Sequence, residues 1–192
     1  MTTANKITVG RIFLIPAFIY VLLRHRDEGL DWQRWFALGA FALISVLDGV
    51  DGFVARRFHQ KSELGAVLDP LADKLLLVSA LILLSLDQPH LNPLPRWLNF
   101  MVISRDILLV VGLALIHFIV GKVTVRPRIS GKMATVLQMT AVLWTLLRWP
   151  TEWQWWIAAA AAVLTLGAGI QYLFDGMRQL SASPRSGPLP EQ

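Results

Sequence analysis

Residues 34–86 read RWFALGAFALISVLDGVDGFVARRFHQKSELGAVLDPLADKLLLVSALILLSL. Two apolar runs flank a short polar connection, and the four aspartates of the stretch gather where each run meets that connection. Each run approaches the ~20 residues with which a helix crosses the hydrocarbon layer of a membrane. The stretch therefore predicts two adjacent antiparallel membrane helices with their acids at one end. Working outward, four more runs of the same kind appear, so that spans are expected over 7–24, 34–53, 64–86, 97–119, 132–149 and 153–174. The fold class expected is an all-α integral membrane protein with six transmembrane helices.

The composition of the whole chain agrees. Its 192 residues are 55% hydrophobic and only 16% charged, where soluble domains run nearer ~25% charged. Disorder is excluded on that ground. The chain has no cysteine, which excludes a disulfide scaffold and leaves only oxygen and nitrogen ligands for any metal. The first run lacks the cleavage pattern of a signal peptide and is expected to remain in the mature protein. Residues 1–180 are expected to form one membrane domain, and the Pro, Ser and Gly of 181–192 a disordered tail.

Lysine and arginine in short loops set the orientation. Lys6, Arg56, Arg57, Lys61, Lys122, Arg126, Arg128, Arg178 and Arg185 lie on one side, against Arg24, Arg26, Arg34, Arg96 and Arg148 on the other, and nine against five puts both termini in the cytoplasm. Trp32, Trp35, Trp97, Trp149, Trp153, Trp155 and Trp156 fall at span ends on the opposite face, as an interfacial belt does. The isoelectric point near 10.1 is explained by basic loops facing anionic headgroups, and no motif points to nucleic acid. The expected location is the cytoplasmic membrane, with the acidic ends of the spans on the cytoplasmic side.

Asp48 and Asp51 stand three apart and Asp69 and Asp73 four apart, so each pair projects from one face of its helix. Two adjacent antiparallel helices then bring four carboxylates to one depth. Like charges in a medium of low dielectric repel strongly, and cations or protons must accompany them. Oxygen ligands alone favour hard divalent ions, and four carboxylates suit two Mg²⁺ or Mn²⁺ ions whose other positions are filled by water and phosphate. That is the composition of a phosphoryl-transfer site, where a carboxylate not fully used as a ligand can take a proton from an attacking hydroxyl. Gly52 allows a phosphate close to the backbone, and Arg56, one turn on, can pair with it. Two other readings of the acids stand beside this one. They could form a proton or cation relay in a cation-coupled transporter, or a structural ion cluster, for which only Arg56, Arg57 and Lys74 are near in sequence.

Written out, the segment is Asp48-x-x-Asp51-Gly52-x-x-Ala55-Arg56, eight residues, then Gly65-x-x-x-Asp69-x-x-x-Asp73. At every specified position it resembles the signature of the CDP-alcohol phosphotransferase family of membrane enzymes. The resemblance implies six transmembrane helices, a homodimer, and transfer of a substituted phosphate from a CDP-linked donor to an alcohol with release of CMP. It implies metal binding by Asp48, Asp51, Asp69 and Asp73, with Asp73 also the base. Gly52, Arg56 and Ser62 would contact the donor, and Gly65 and Ala55 would keep helices close. Asn5, Thr8 and Arg11 resemble a segment found at the start of the first span in many relatives, which would place Asn5 and Thr8 near the cytidine.

The resemblance covers roughly 5–145. Leu68-Asp-Pro-Leu-Ala-Asp-Lys74 is similar to the phosphatidylglycerophosphate synthase and cardiolipin synthase branches, whose donor is CDP-diacylglycerol. Ser104-Arg105-Asp106 looks more like the second branch and Gly131-Lys132 more like the first; the acceptor expected is glycerol 3-phosphate, giving phosphatidylglycerol phosphate, with phosphatidylglycerol, giving cardiolipin, as the alternative. Lys122, Arg126, Arg128 and Lys132 form a basic cluster at the cytoplasmic end of the fourth and fifth spans. Such a cluster can bind the phosphate of glycerol 3-phosphate, and it also satisfies the charge bias of a cytoplasmic loop. Lys132, Arg128 and the deeper Arg105 are the candidate acceptor contacts. Arg105 beside Asp106 reads equally as a neutralised structural pair.

Overall fold

The computed structural model describes residues 3–57, 63–120 and 129–181, with side chains over 10–48, 70–112 and 129–177 and at 68, 114, 115 and 118. Six α-helices and no strand occur among the described residues. They are α1 (Thr3–Glu28), α2 (Asp31–Arg57), α3 (Glu63–Ser85), α4 (Arg96–Val120), α5 (Ile129–Leu146) and α6 (Thr151–Ser181). Each expected span falls on one helix. At ~1.5 Å per residue the 23 residues of α3 extend about 35 Å, longer than the ~30 Å hydrocarbon layer.

The helix ends have local causes. Between α1 and α2 only Gly29 and Leu30 intervene; Gly29 takes φ +70° and donates its N–H to the His25 carbonyl at 2.9 Å. That left-handed cap is a glycine position, and a side chain there would start 2.6 Å from the His90 ring. Pro93 and Pro95 precede α4, and Pro150 precedes α6, where they cannot continue the preceding helix. The fifth span was expected to run to 149 but α5 ends at Leu146, because Arg148 turns left-handed at φ 54°. Its guanidinium secures the turn, Nε donating to the His90 carbonyl at 3.1 Å and Nη1 to Asp31 at 2.9 Å. Ser181, the first residue of the expected tail, belongs to α6, and 182–192 lie outside the described residues.

α1 packs on α2 and α3, α6 on α4 and α5, and α3 joins the two groups through α4 and α5. The core along these seams is aliphatic, with Leu22, Ile44, Leu76, Leu77, Leu81 and Leu84 buried and Phe18 tilted against Phe41 at 5.9 Å. Ala158, Ala161 and Ala162 of α6 are buried within the chain, which lets helix backbones approach closely. Polar groups inside are tied across helices: Gln138 of α5 donates to Thr165 of α6 at 2.9 Å, and Asn99 of α4 to the Leu81 carbonyl of α3 at 2.9 Å.

The outside is apolar. Phe13 and Phe100 are 74% exposed, Phe118 83% and Val163 67%, an inversion of the soluble pattern that removes apolar area only if the surroundings are themselves apolar. Among the described residues one segment, Thr151–Met177, meets by itself the length and hydropathy of a membrane span, at a mean hydropathy of 1.8. The other helices carry charges along their length, including Arg11 in α1, Asp48 in α2, Asp73 and Lys74 in α3, and Arg105 and Asp106 in α4.

Candidate active site

Arg11 of α1, Asp48 of α2, Asp73 and Lys74 of α3, and Arg105 and Asp106 of α4 are placed away from the end of the bundle that holds the 29–30, 86–95 and 147–150 connections. Arg11, fully buried on α1, places Nη1 2.5 Å from Asp48 Oδ1 on α2. The close packing of α1 on α2 makes this contact, although the arginine is 37 residues from its partner. Expected neutralisers lay near the acids in sequence, so Arg11 is a partner that spacing did not reveal. Its position three residues after Thr8 was the available signal, carrying a resemblance but no assigned role.

Asp73 of α3 lies within electrostatic range of Asp48, Arg11 and Lys74. Its Oδ1 is buried and has no hydrogen-bond partner among the described residues. A buried carboxylate oxygen without a donor is costly unless something binds it, and with Asp48 close by, the two acids make an all-oxygen donor set that suits a hard divalent cation. The residues present therefore fit such an ion. Among the described residues no three metal-ligating side chains form a group, since Asp51 and Asp69 lie in α2 and α3 but their side chains are outside the described set.

Beside Asp73, Lys74 turns to α4. Its Nζ donates to both oxygens of Asp106, at 2.6 and 2.8 Å, and Arg105 Nη1 donates to Asp106 Oδ1 at 2.8 Å. Asp106 thus joins two cations. The expected pair of Arg105 with Asp106 is present, and Lys74 is an additional member 32 residues away.

Arg105 is the junction of α4, α5 and α6. Its guanidinium lies 5.9 Å from the centre of the Tyr172 ring on α6, and a side chain on Gly131 of α5 would start 3.3 Å from Nη2. A larger residue at 131 would press on the Arg105 guanidinium. Arg105 Nε is buried and has no hydrogen-bond partner among the described residues. Lys132, next to Gly131, is exposed, so the structure brings Arg105 and the start of α5 together. Ser130 donates to Gln171 of α6 at 2.9 Å, closing the same corner. Tyr172 was not anticipated, and nothing in its local sequence marks it.

The remaining expected contacts divide simply. The backbones of Asn5 and Thr8 lie in α1 and those of Gly52 and Arg56 in α2, with side chains outside the described set; Ser62 and Arg128 lie outside the described residues altogether. Gln138 is a buried link between α5 and α6.

A helical bundle with an apolar exterior and a cluster of acids and bases that links α1 to α4 defines a class: a helical protein suited to a membrane, with a charged site between its helices. More particularly, residues 1–167 match the family model described as CDP-alcohol phosphatidyltransferase, and the chain belongs to that family of enzymes. It is 33% identical over 174 residues to a CDP-diacylglycerol–glycerol-3-phosphate 3-phosphatidyltransferase of Shigella flexneri, covering 87% of this chain and 90% of that protein. It is 34% identical over 165 residues to a cardiolipin synthase (CMP-forming) of Streptomyces coelicolor, covering 85% and 72% respectively. With a cardiolipin synthase (CMP-forming) of Rattus norvegicus the identity is 37% over 143 residues, 74% of this chain and 43% of that one. The family membership overturns the cation-coupled transporter reading of the acids.

Proposed function

We propose that the protein transfers the phosphatidyl group of CDP-diacylglycerol to glycerol 3-phosphate, giving phosphatidylglycerol phosphate and CMP. The observation that carries this reading is the family match over 1–167 together with the relative of that name, which aligns over nine-tenths of its own length. The site residues of the reading are those of the signature. Asp48, Asp51, Asp69 and Asp73 hold two divalent cations, Mg²⁺ or Mn²⁺, which when bound neutralise the diphosphate and the departing CMP. Gly52, Arg56 and Ser62 contact the diphosphate, and Asn5 and Thr8 the cytidine. The acceptor hydroxyl gives its proton to Asp73 while its oxygen bonds to the diacylglycerol-linked phosphorus, and the bond from that phosphorus to the CMP oxygen breaks.

Arg105, Lys132 and Arg128 receive the acceptor phosphate. The partly buried fork of Arg105, with Nε unspent, supports this, because a planar guanidinium matches a phosphate with two parallel donors. In this reading residues 1–180 form one domain of six membrane spans with both termini and the site at the cytoplasmic side of the inner membrane, and two chains associate as a homodimer.

The second reading is cardiolipin synthesis, with phosphatidylglycerol as acceptor, favoured by Ser104-Arg105-Asp106 and by the relatives of that name. Labelled CDP-diacylglycerol offered with each acceptor separately, and the lipid products resolved by thin-layer chromatography, separates the two. The expected product is phosphatidylglycerol phosphate from glycerol 3-phosphate, with matching CMP release that chelation abolishes. Cardiolipin alone establishes the second reading, and a product only from a third alcohol such as inositol removes both acceptor assignments.

A further inference from the structure

Lys74 follows Asp73 directly, and in a low-dielectric setting an ammonium beside a carboxylate is its natural partner. Adjacent residues on a helix do not ordinarily face each other, yet a long side chain folds over the gap in this molecule, since Arg105 reaches its neighbour Asp106 at 2.8 Å. Lys74 nevertheless makes no such contact with Asp73. Its Nζ is held on α4 by both Asp106 oxygens, at 2.6 and 2.8 Å, while Asp73 Oδ1 is buried and has no hydrogen-bond partner among the described residues. Asp106 is 19% exposed and Lys74 40%, so the pair is sheltered on the acid's side and the lysine has room to swing if released.

We propose that Asp106 is a positioning residue that binds the Lys74 ammonium away from Asp73 and thereby keeps the Asp73 carboxylate open to a cation and to the acceptor proton. Arg105, sharing Oδ1 of the same acid, restrains Asp106 from the far side and fixes it toward α3. Release of Lys74 would put an ammonium on the oxygen that a metal ion needs, and cation binding would weaken by competition. This inference rests on the assignment of Asp73 to the metal site, and not on the identity of the acceptor.

The test is Mn²⁺ binding to the purified protein, followed through the electron paramagnetic resonance signal of the free ion, with no lipid substrate present. Asp106→Asn is expected to weaken binding at least tenfold, and adding Lys74→Met to restore it to within threefold of wild type. Lys74→Met alone binds as wild type does, because that lysine is already occupied. Asp106→Glu retains the ion pairs and retains binding. Should Asp106→Asn fail to give a monodisperse folded protein, the double variant, whose net charge equals that of wild type, stands in for it. Wild-type affinity in the double variant supports the proposal, and a tenfold loss there overturns it. Undiminished binding by Asp106→Asn, or a loss that Lys74→Met does not recover, likewise overturns it. A wild type that binds no Mn²⁺ removes the metal-site assignment and the inference together. If the expected binding pattern appears but no lipid forms from glycerol 3-phosphate, the acceptor assignment fails and the role of Asp106 stands.

Discussion

Asp73 sits among charges that oppose one another, with Asp48 repelling it and Arg11 and Lys74 attracting it. The nearest arginine is committed to Asp48 and the lysine to Asp106. A carboxylate surrounded by cations already engaged elsewhere is suited to receive a proton, and general-base assistance of this kind contributes about 10²–10⁴-fold to a rate. Asp73→Asn, nearly isosteric, is therefore expected to lower CMP release by about 10²-fold or more in protein that still elutes and melts like wild type. Near-normal release by Asp73→Asn, with release lost in Asp48→Asn, would transfer the base to another residue. The spacing of the four aspartates is visible in sequence because it follows helical periodicity. The commitments of Arg11 and Lys74 are not, because each depends on which helix packs beside which, and residues 37 positions or 32 positions apart leave no local signal.

Among the elements, the two-residue turn between α1 and α2 is tightly constrained, with Gly29 at φ +70° against the His90 ring. His25, fully buried one residue beyond the expected first span, has Nδ1 3.0 Å from the Leu30 carbonyl; its Nε2 is buried and unpartnered. His90 lies 5.9 Å away between ring centres. Burial pushes the imidazole below its ordinary value near 6.5, and the charges of Arg148, His90 and Arg34 act in the same direction against the opposing Leu30 carbonyl. A histidine whose folded value is depressed is held neutral by the fold, so the unfolded chain binds the proton more readily. Stability is then fullest above pH about 6.5 and declines as the pH falls below it toward the folded value. The melting temperature in detergent is expected to drop between pH 7.5 and pH 5.5, with a smaller drop in His25→Gln. Equal drops in the two proteins would place the titrating group elsewhere. The six helices of the described residues were legible from their apolar runs, and Gly29, Pro95 and Pro150 stand at three of their ends. The early stop of α5 was not, since Arg148 is held left-handed by acceptors on the connection before α4 and on the first turn of α2.

For the whole molecule, the decisive physical feature is that the exterior is more apolar than many of the seams are. Phe13, Phe100 and Phe118 face outward while Arg11, Gln138 and Thr165 face in, and that arrangement is stable where the solvent is lipid and the polar groups find one another. Trp32, Trp35, Trp153, Trp155 and Trp156 are all exposed at the end of the bundle away from Asp48 and Asp73, where indole rings bridge hydrocarbon and headgroups. The same tryptophans and the excess of basic loop residues on the other side give the orientation a direct test, made easy because the chain contains no cysteine. Glu152→Cys, at the exposed start of α6, is expected to react with a membrane-impermeant maleimide in intact spheroplasts. Lys61→Cys, in the basic stretch between α2 and α3, is expected to react only after permeabilisation. The reverse pattern would put the aspartates on the outer face, where CDP-linked donors and glycerol 3-phosphate made in the cytoplasm could not reach them. Labelling of both from outside would mean that α2 and α3 do not form a membrane-crossing hairpin with α6 across the same bilayer.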